Sequence, residues 1–221
     1  MQVKTMAKSI AALAASAALA APAFADTVNL SNYTYPPAAT LSVTSPAYSG
    51  GAGQFSGLLN GNSFETYCTE LTQSFSFNTS YTYSIVSGVT AWGAARSTAL
   101  DRVLSGALAA GWPSNATQSA VVQAAVWEVL YETSGSYSFA SGTFTATSGT
   151  GAVQAALNLV DPYWSSLGSI PITVHADQLF NERHQNFLVM TPVPEPGTYA
   201  MMLAGLGLMG VIARRRNRLS A

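Results

Sequence analysis

Only 9% of the 221 residues are charged and 48% are hydrophobic, with nine basic against ten acidic side chains. That near-neutral total conceals a division, because residues 26–191 carry nine acids and three bases, a net charge near −6, while two lysines and four arginines sit at the ends. The central segment therefore has no basic patch for nucleic acid or anionic lipid, and no lysine to build a P-loop.

Lys4 and Lys8 precede an apolar, alanine-rich run from Ile10 to Ala21 that ends in Ala23-Phe24-Ala25. A basic start, a short apolar core and a small-x-small end read as a secretory signal peptide over residues 1–25, cleaved between Ala25 and Asp26. The run is too short to serve as a membrane anchor. Residues 26–191 then amount to one domain's worth of exported chain. Their four tryptophans, with many tyrosines and phenylalanines, can fill a core, so the Ser/Thr/Gly-rich composition is not that of a disordered segment.

Alternating or β-rich patterns cover Leu41 to Val43, Gln54 to Leu59, Ser63 to Leu71 and Tyr81 to Val86, and predict a β-meander. Asn60-Gly61 is a hairpin turn signal between the second and third. From about Ala91 to Ala110 apolar residues recur at helical spacing, with Leu100, Val103, Leu104, Ala107 and Leu108 on one face, until Gly111-Trp112-Pro113 ends the helix. Ser114 or Asn115 caps a second helix running to about Glu132. Ser136 to Ser148 reads as a strand pair or a loop, and Gly151 to Trp164 as a third helix with Pro162 near its end. Ile170 to His175 and Asn186 to Val189 read as strands that return to the sheet. The expected fold is α+β: an antiparallel β framework, barrel or sandwich-like, with a helical part inserted and a C-terminal transmembrane helix.

Cys68 is the only cysteine, and in an oxidising compartment it has no disulfide partner within the chain. It lies in Tyr67-Cys68-Thr69-Glu70-Leu71, and the capped helix carries Gln123-Ala124-Ala125-Val126-Trp127. A Tyr-Cys-x-x-Leu strand followed by a Gln-x-Ala-Val-Trp helix resembles the thioester domains of bacterial surface adhesins. The resemblance implies an internal thioester between Cys68 and Gln123, and covalent capture of an amine- or hydroxyl-bearing surface ligand without turnover. Trp127, one helical turn past Gln123, would cover the bond. Gln118 offers a second Gln-x-Ala match but lacks the tryptophan four residues on. At ~100° per residue it points ~140° away from Gln123, so the two cannot both face Cys68. Glu70 and Glu128 are conceivable helpers in activating the thiol. The alternative is an inert buried thiol acting as a small hydrophobe in a non-covalent structural or biofilm-associated protein. His175 and His184 show no zinc-binding spacing, and no Gly-x-Ser-x-Gly elbow is present. No metal, cofactor or enzymatic activity is expected.

The last thirty residues, 192–221, have a distinct order. Val193-Pro194-Glu195-Pro196-Gly197-Thr198 is extended and accessible, because each proline fixes its own φ and keeps the residue before it out of the α region. An uncharged run comes next, with the expected span at residues 198–213, and then Arg214, Arg215, Arg216 and Arg218 in a basic tail, residues 214–221. This order, carried by Pro194, Glu195 and Pro196, resembles the PEP-CTERM sorting signals that exosortases process in Gram-negative bacteria. It implies an exosortase-type partner and an envelope setting. The fifteen residues from Tyr199 to Ala213 reach only ~22 Å as a helix against a ~30 Å hydrocarbon core, so the span also needs the arginines to snorkel. The arginines place the C-terminus in the cytoplasm and the domain outside.

Overall fold

The computed structural model describes residues 25–194, 201–206 and 209. Within residues 25–194 the elements run in chain order: β1 (Asp26–Tyr33), β2 (Ala39–Thr44), β3 (Ala47–Ala52), β4 (Phe55–Leu59), β5 (Asn62–Thr66), β6 (Ser80–Val86), α1 (Gly88–Trp92), α2 (Ala94–Ala109), α3 (Ala116–Tyr131), β7 (Ala146–Thr147), α4 (Gly151–Val160), β8 (Val174–Phe180) and β9 (Phe187–Pro192). A 3-10 helix over Asp161–Ser169 extends α4, with Pro162 in its first turn.

Six strands make an antiparallel sheet in the order β5-β4-β1-β6-β8-β9. This corrects the expected meander. β1, which no pattern marked, lies at the centre between β4 and β6, and β2 with β3 leaves to form a second sheet with β7. The β4–β5 turn is the expected Asn60-Gly61 pair, both residues at positive φ, 52° and 82°. β1 shifts register between Leu30 and Asn32 opposite Gly57, where a Cβ would overlap the Asn29 carbonyl. Only glycine fits so close a crossing of backbones.

The two edges of this sheet turn toward each other. Past the end of β5, the Leu188 N–H donates to the Tyr67 carbonyl at 3.0 Å and the Thr69 N–H to the Asn186 carbonyl at 2.9 Å, while Cys68 bridges Phe187. These bonds nearly close the sheet into a barrel, so both edges find partners rather than lying open. The expected strand Ser63 to Leu71 thus splits into β5 and the barrel seam.

The expected helix from Ala91 to Ala110 is two helices, parted at Gly93, whose φ of 83° breaks the run. Within α2, Leu100 and Leu104 are buried, Val103 and Ala107 partly so, and Leu108 is exposed. Helix α3 begins where expected, with the Asn115 side chain accepting the Gln118 N–H at 3.0 Å. From Ser119 to Leu130 every residue of α3 is buried, as required of a helix enclosed on all sides. Residues of the barrel (Val28, Phe55, Leu179), the small sheet (Leu41, Val43), α3 (Ala120, Ala124) and α4 (Val153, Leu157) share one core. The expected α+β class and inserted helices describe this architecture.

The expected transmembrane helix over 198–213 is not found: no helix among the described residues is long and apolar enough to cross a membrane. Residues 201–206 are helical and Met201, Met202, Leu203 and Leu206 are exposed; most of the remaining stretch lies outside the described residues.

Candidate functional site

Cys68 sits on the barrel seam, where the backbone has left β5 and already pairs with β9. Helix α3 crosses behind the seam and presents Gln123 to it. The Cys68 N–H donates to Gln123 Oε1 at 2.9 Å, and Gln123 Nε2 donates to the Cys68 carbonyl at 2.8 Å. The Gln123 carboxamide is therefore clamped on the main chain of Cys68. Both residues are buried, at 1% and 0% exposure, so the carboxamide has traded water for two well-formed bonds. The orientation matters chemically. A main-chain N–H already rests on the Gln123 carbonyl oxygen, the atom that gains charge if a nucleophile adds to the carbonyl carbon.

The sulfur has its own partners. Its S–H donates to the Glu70 carbonyl, and the Gln185 carboxamide is packed directly on the sulfur, with Nε2 at 2.6 Å, closer than an N–H···S hydrogen bond. The same Nε2 donates to the Glu70 carbonyl at 2.9 Å. The Trp127 indole N–H, buried and without a hydrogen-bond partner, belongs to the same surroundings. Burial pushes the Cys68 thiol up to about 12; the backbone bond at Glu70, Trp127 and Gln185 pull the other way without offsetting it.

Around the pair the lining is aromatic. Phe187, opposite Cys68 in the seam, meets Phe75, Phe55 and Tyr83 edge-on at 5.2, 5.9 and 5.9 Å between ring centres. Trp127 is covered by Tyr48 at 5.5 Å. Such a lining excludes water from whatever bond forms at the seam.

The other sequence candidates fall elsewhere. Gln118 turns back to the start of α3 and accepts from the Ser114 N–H and hydroxyl at 2.7 and 2.8 Å, away from the seam. Glu128 is buried, with one oxygen accepting the Ser138 N–H at 2.7 Å and the other unpartnered. Burial raises its pKa to about 8, so it is largely protonated at neutral pH. It serves the 133–147 loop rather than the sulfur. The Glu70 carboxylate binds the N–H groups of Thr72 and Gln73; its contribution to Cys68 is the main-chain carbonyl. His175 Nδ1 lies 2.7 Å from Asp101 Oδ2, and the His184 ring packs against Tyr81, centres 4.1 Å apart and planes tilted by 41°. Among the described residues no cluster of three His, Cys, Asp or Glu side chains could hold a metal ion. Gln185 had no sequence signal. It stands in the polar turn before β9, and only the closure of the barrel carries it to the sulfur.

At the C-terminus Pro194 is exposed at the end of the described domain, just after the Val193 N–H bonds the Thr173 carbonyl at 2.8 Å. Glu195, Pro196 and Arg214 to Arg218 lie outside the described residues, as do residues 1–24 of the expected signal peptide; Ala25 is exposed at the foot of β1.

Residues 192–217 match the PEP-CTERM protein-sorting motif. The motif supports an exported surface protein, anchored at the cell envelope, with an exosortase as its processing partner. No curated protein and no solved structure matches the chain. These comparisons give no support to the expected resemblance to thioester domains, which was carried by Tyr67 to Leu71 and Gln123 to Trp127.

Proposed function

We propose that residues 26–191 form a covalent attachment domain that uses an internal thioester between Cys68 and Gln123, displayed outside the cell by the C-terminal sorting motif. The observation that carries this reading is the clamp of the Gln123 carboxamide on the Cys68 main chain, which joins helix α3 to the barrel seam. In the forming step the Cys68 sulfur adds to the Gln123 Cδ while the Cys68 N–H stabilises the oxyanion. The C–N bond then breaks, and the thiol proton leaves with the nitrogen as ammonia. A free carboxamide resists such attack, so the reaction depends on held geometry rather than on a reactive thiolate. The product is one acyl group that an amine or hydroxyl of a surface ligand can take, releasing the thiol. This is a single event and not turnover, so the protein is not an enzyme. With no lysine in residues 26–191, the only strong amine on the mature chain is its own N-terminus, which limits self-reaction.

Intact mass of the exported chain tests the reading. Wild type is expected one ammonia lighter than its sequence, to gain methylamine on incubation, and Cys68→Ala is expected to do neither. A wild-type mass equal to the sequence, with no methylamine uptake, sinks the thioester. The second reading, an inert thiol in a non-covalent matrix protein of a biofilm, draws on the complete burial of Cys68 and on its raised pKa, and that same mass would favour it.

For the tail we propose a single-pass anchor in a Gram-negative envelope, with the domain outside and the four arginines in the cytoplasm. The two prolines around Glu195, which keep this stretch from joining a helix, support processing there. Glu195→Ala is expected to leave export intact while blocking C-terminal processing; unchanged processing would count against an exosortase reading the acid.

A further inference from the structure

We propose that the apolar cavity between α2, α3 and the 3-10 helix is a membrane-docking face, which receives acyl chains of the same bilayer that holds the C-terminal tail. This rests on the anchoring of the tail and stands apart from the thioester.

The cavity has a volume of about 370 Å³ and opens beside Ala107, Trp112, Val122, Trp164 and Ile170. None of the residues that line it is charged. Leu159 and Tyr163, also in its lining, are each 65% exposed, and Leu108, next in α2 to Ala107, is 47% exposed. Large apolar side chains gathered at one mouth mark a contact with something apolar. Arg102 reaches the same end of the 3-10 helix but is committed to the Leu167 and Ile170 carbonyls, 3.3 and 3.2 Å from its Nη1. The face therefore offers contact to hydrocarbon rather than to headgroup charge, in keeping with a segment that carries nine acids and three bases.

Which apolar partner it meets follows from where the chain leaves the domain. The Val193 N–H donates to the Thr173 carbonyl at 2.8 Å, and the Thr173 N–H donates to Ser105 Oγ at 2.9 Å. Ser105 is followed in α2 by Gly106, which lines the cavity and leaves the room that the Ile170 side chain takes, 3.0 Å from where a Cβ would stand. The last strand thus ends at the rim of the cavity. From Val193 to Tyr199, where the uncharged run starts, the chain reaches only ~20 Å even when fully extended. A domain of this length is roughly 40 Å across. A leash about half as long as the domain is broad draws the exit side, and the cavity with it, onto the surface of the bilayer that holds the tail. Tryptophan and tyrosine beside aliphatic side chains suit the level between headgroups and acyl chains.

The test reads the four tryptophans, all of which belong to residues 26–191, in the exported chain with its tail, reconstituted in phosphatidylcholine vesicles. Lipids brominated along the acyl chains quench the indoles they touch. Trp112 and Trp164 are expected to lose emission, more with bromine near the headgroup end of the chains than near their tips, because a face lying in the interface reaches only ~5–10 Å deep. Trp112→Phe with Trp164→Phe is expected to remove the quenchable emission. Leu159→Asp with Tyr163→Asp, at exposed positions outside the core, is expected to abolish quenching with the melting temperature unchanged. Emission untouched by bromine in vesicles that hold the chain overturns the docking face and leaves the anchor standing; shielding of the same indoles from aqueous iodide would then assign the cavity to the tail itself or to a second copy. Quenching that survives both aspartates overturns the face as well, since the contact then lies elsewhere. A chain that fails to float with the vesicles overturns the anchor together with the face.

Discussion

Gln123→Glu is expected to abolish methylamine uptake completely and to lower the melting temperature by roughly 10 °C. The substitution writes in the side chain that hydrolysis of the thioester would leave, so the variant begins where an exhausted molecule ends. A carboxylate is a poorer acyl donor than the carboxamide, and no ammonia can leave from it. The stability loss has a separate origin. Gln123 is fully buried and donates to the Cys68 carbonyl through Nε2; an ionised carboxylate there has two acceptors and faces that carbonyl with like polarity. Either it stays charged in an apolar surround, or it protonates and changes its pairing, and both cost about 3 kcal/mol or more. Thermal melting and mass measured on one preparation separate the two effects. A variant that still takes up methylamine would show that the acyl group is not on residue 123.

The second large effect is expected at Glu132. Its carboxylate, at the C-terminal end of α3, accepts main-chain N–H groups from Thr133, Ser134, Thr143 and Phe144, and so folds the 133–147 loop around itself. Glu132→Ala strands these donors, some of them buried, and is expected to cost about 3 kcal/mol, or roughly 10 °C in melting temperature. The pH dependence has a definite sign. Burial pushes the Glu132 carboxyl up, but the hydrogen bonds from Ser134, Phe144 and Thr143 outweigh it and hold the group at about 2, below its ordinary 4.5. A carboxyl with a depressed folded pKa contributes stability that is complete above its unfolded value and is lost as pH falls through the folded one. The stability gap between wild type and Glu132→Ala should therefore be constant above pH 4.5 and close toward pH 2. A gap that widens in acid would contradict this assignment.

Local chemistry made parts of the fold legible. Ser114-Asn115 announced the start of α3 because either side chain can accept an N–H of the first helical turn, and in the structure Asn115 does so. Asn60-Gly61 announced a hairpin because both positions need positive φ. The spacing of Gln123 and Trp127 placed them one turn apart on a helix that the structure buries on every side. The features that sequence could not reveal are non-local. β1 lies between β4 and β6, and nothing within Asp26–Tyr33 states which neighbours it will take. The barrel seam, where Cys68 pairs with Phe187, joins segments more than a hundred residues apart. Gln185 is illegible for the same reason: a glutamine in a polar turn carries no periodicity and no spacing rule, and acquires a role only when the turn is brought to the sulfur. Gly93 divides the helical run from Ala91 to Ala110 although the apolar pattern continues through it, because a backbone at φ 83° interrupts a helix whatever the side chains prefer.

The most direct test of the thioester is its covalent connectivity. Wild-type protein digested with pepsin at acid pH, where thioesters survive and free amines are protonated, is expected to release the Cys68 and Gln123 segments as one joined peptide, lighter by one ammonia than the pair. Recovery of two separate peptides, Cys68 as a thiol and Gln123 as an intact carboxamide, would contradict the proposal that this domain attaches covalently.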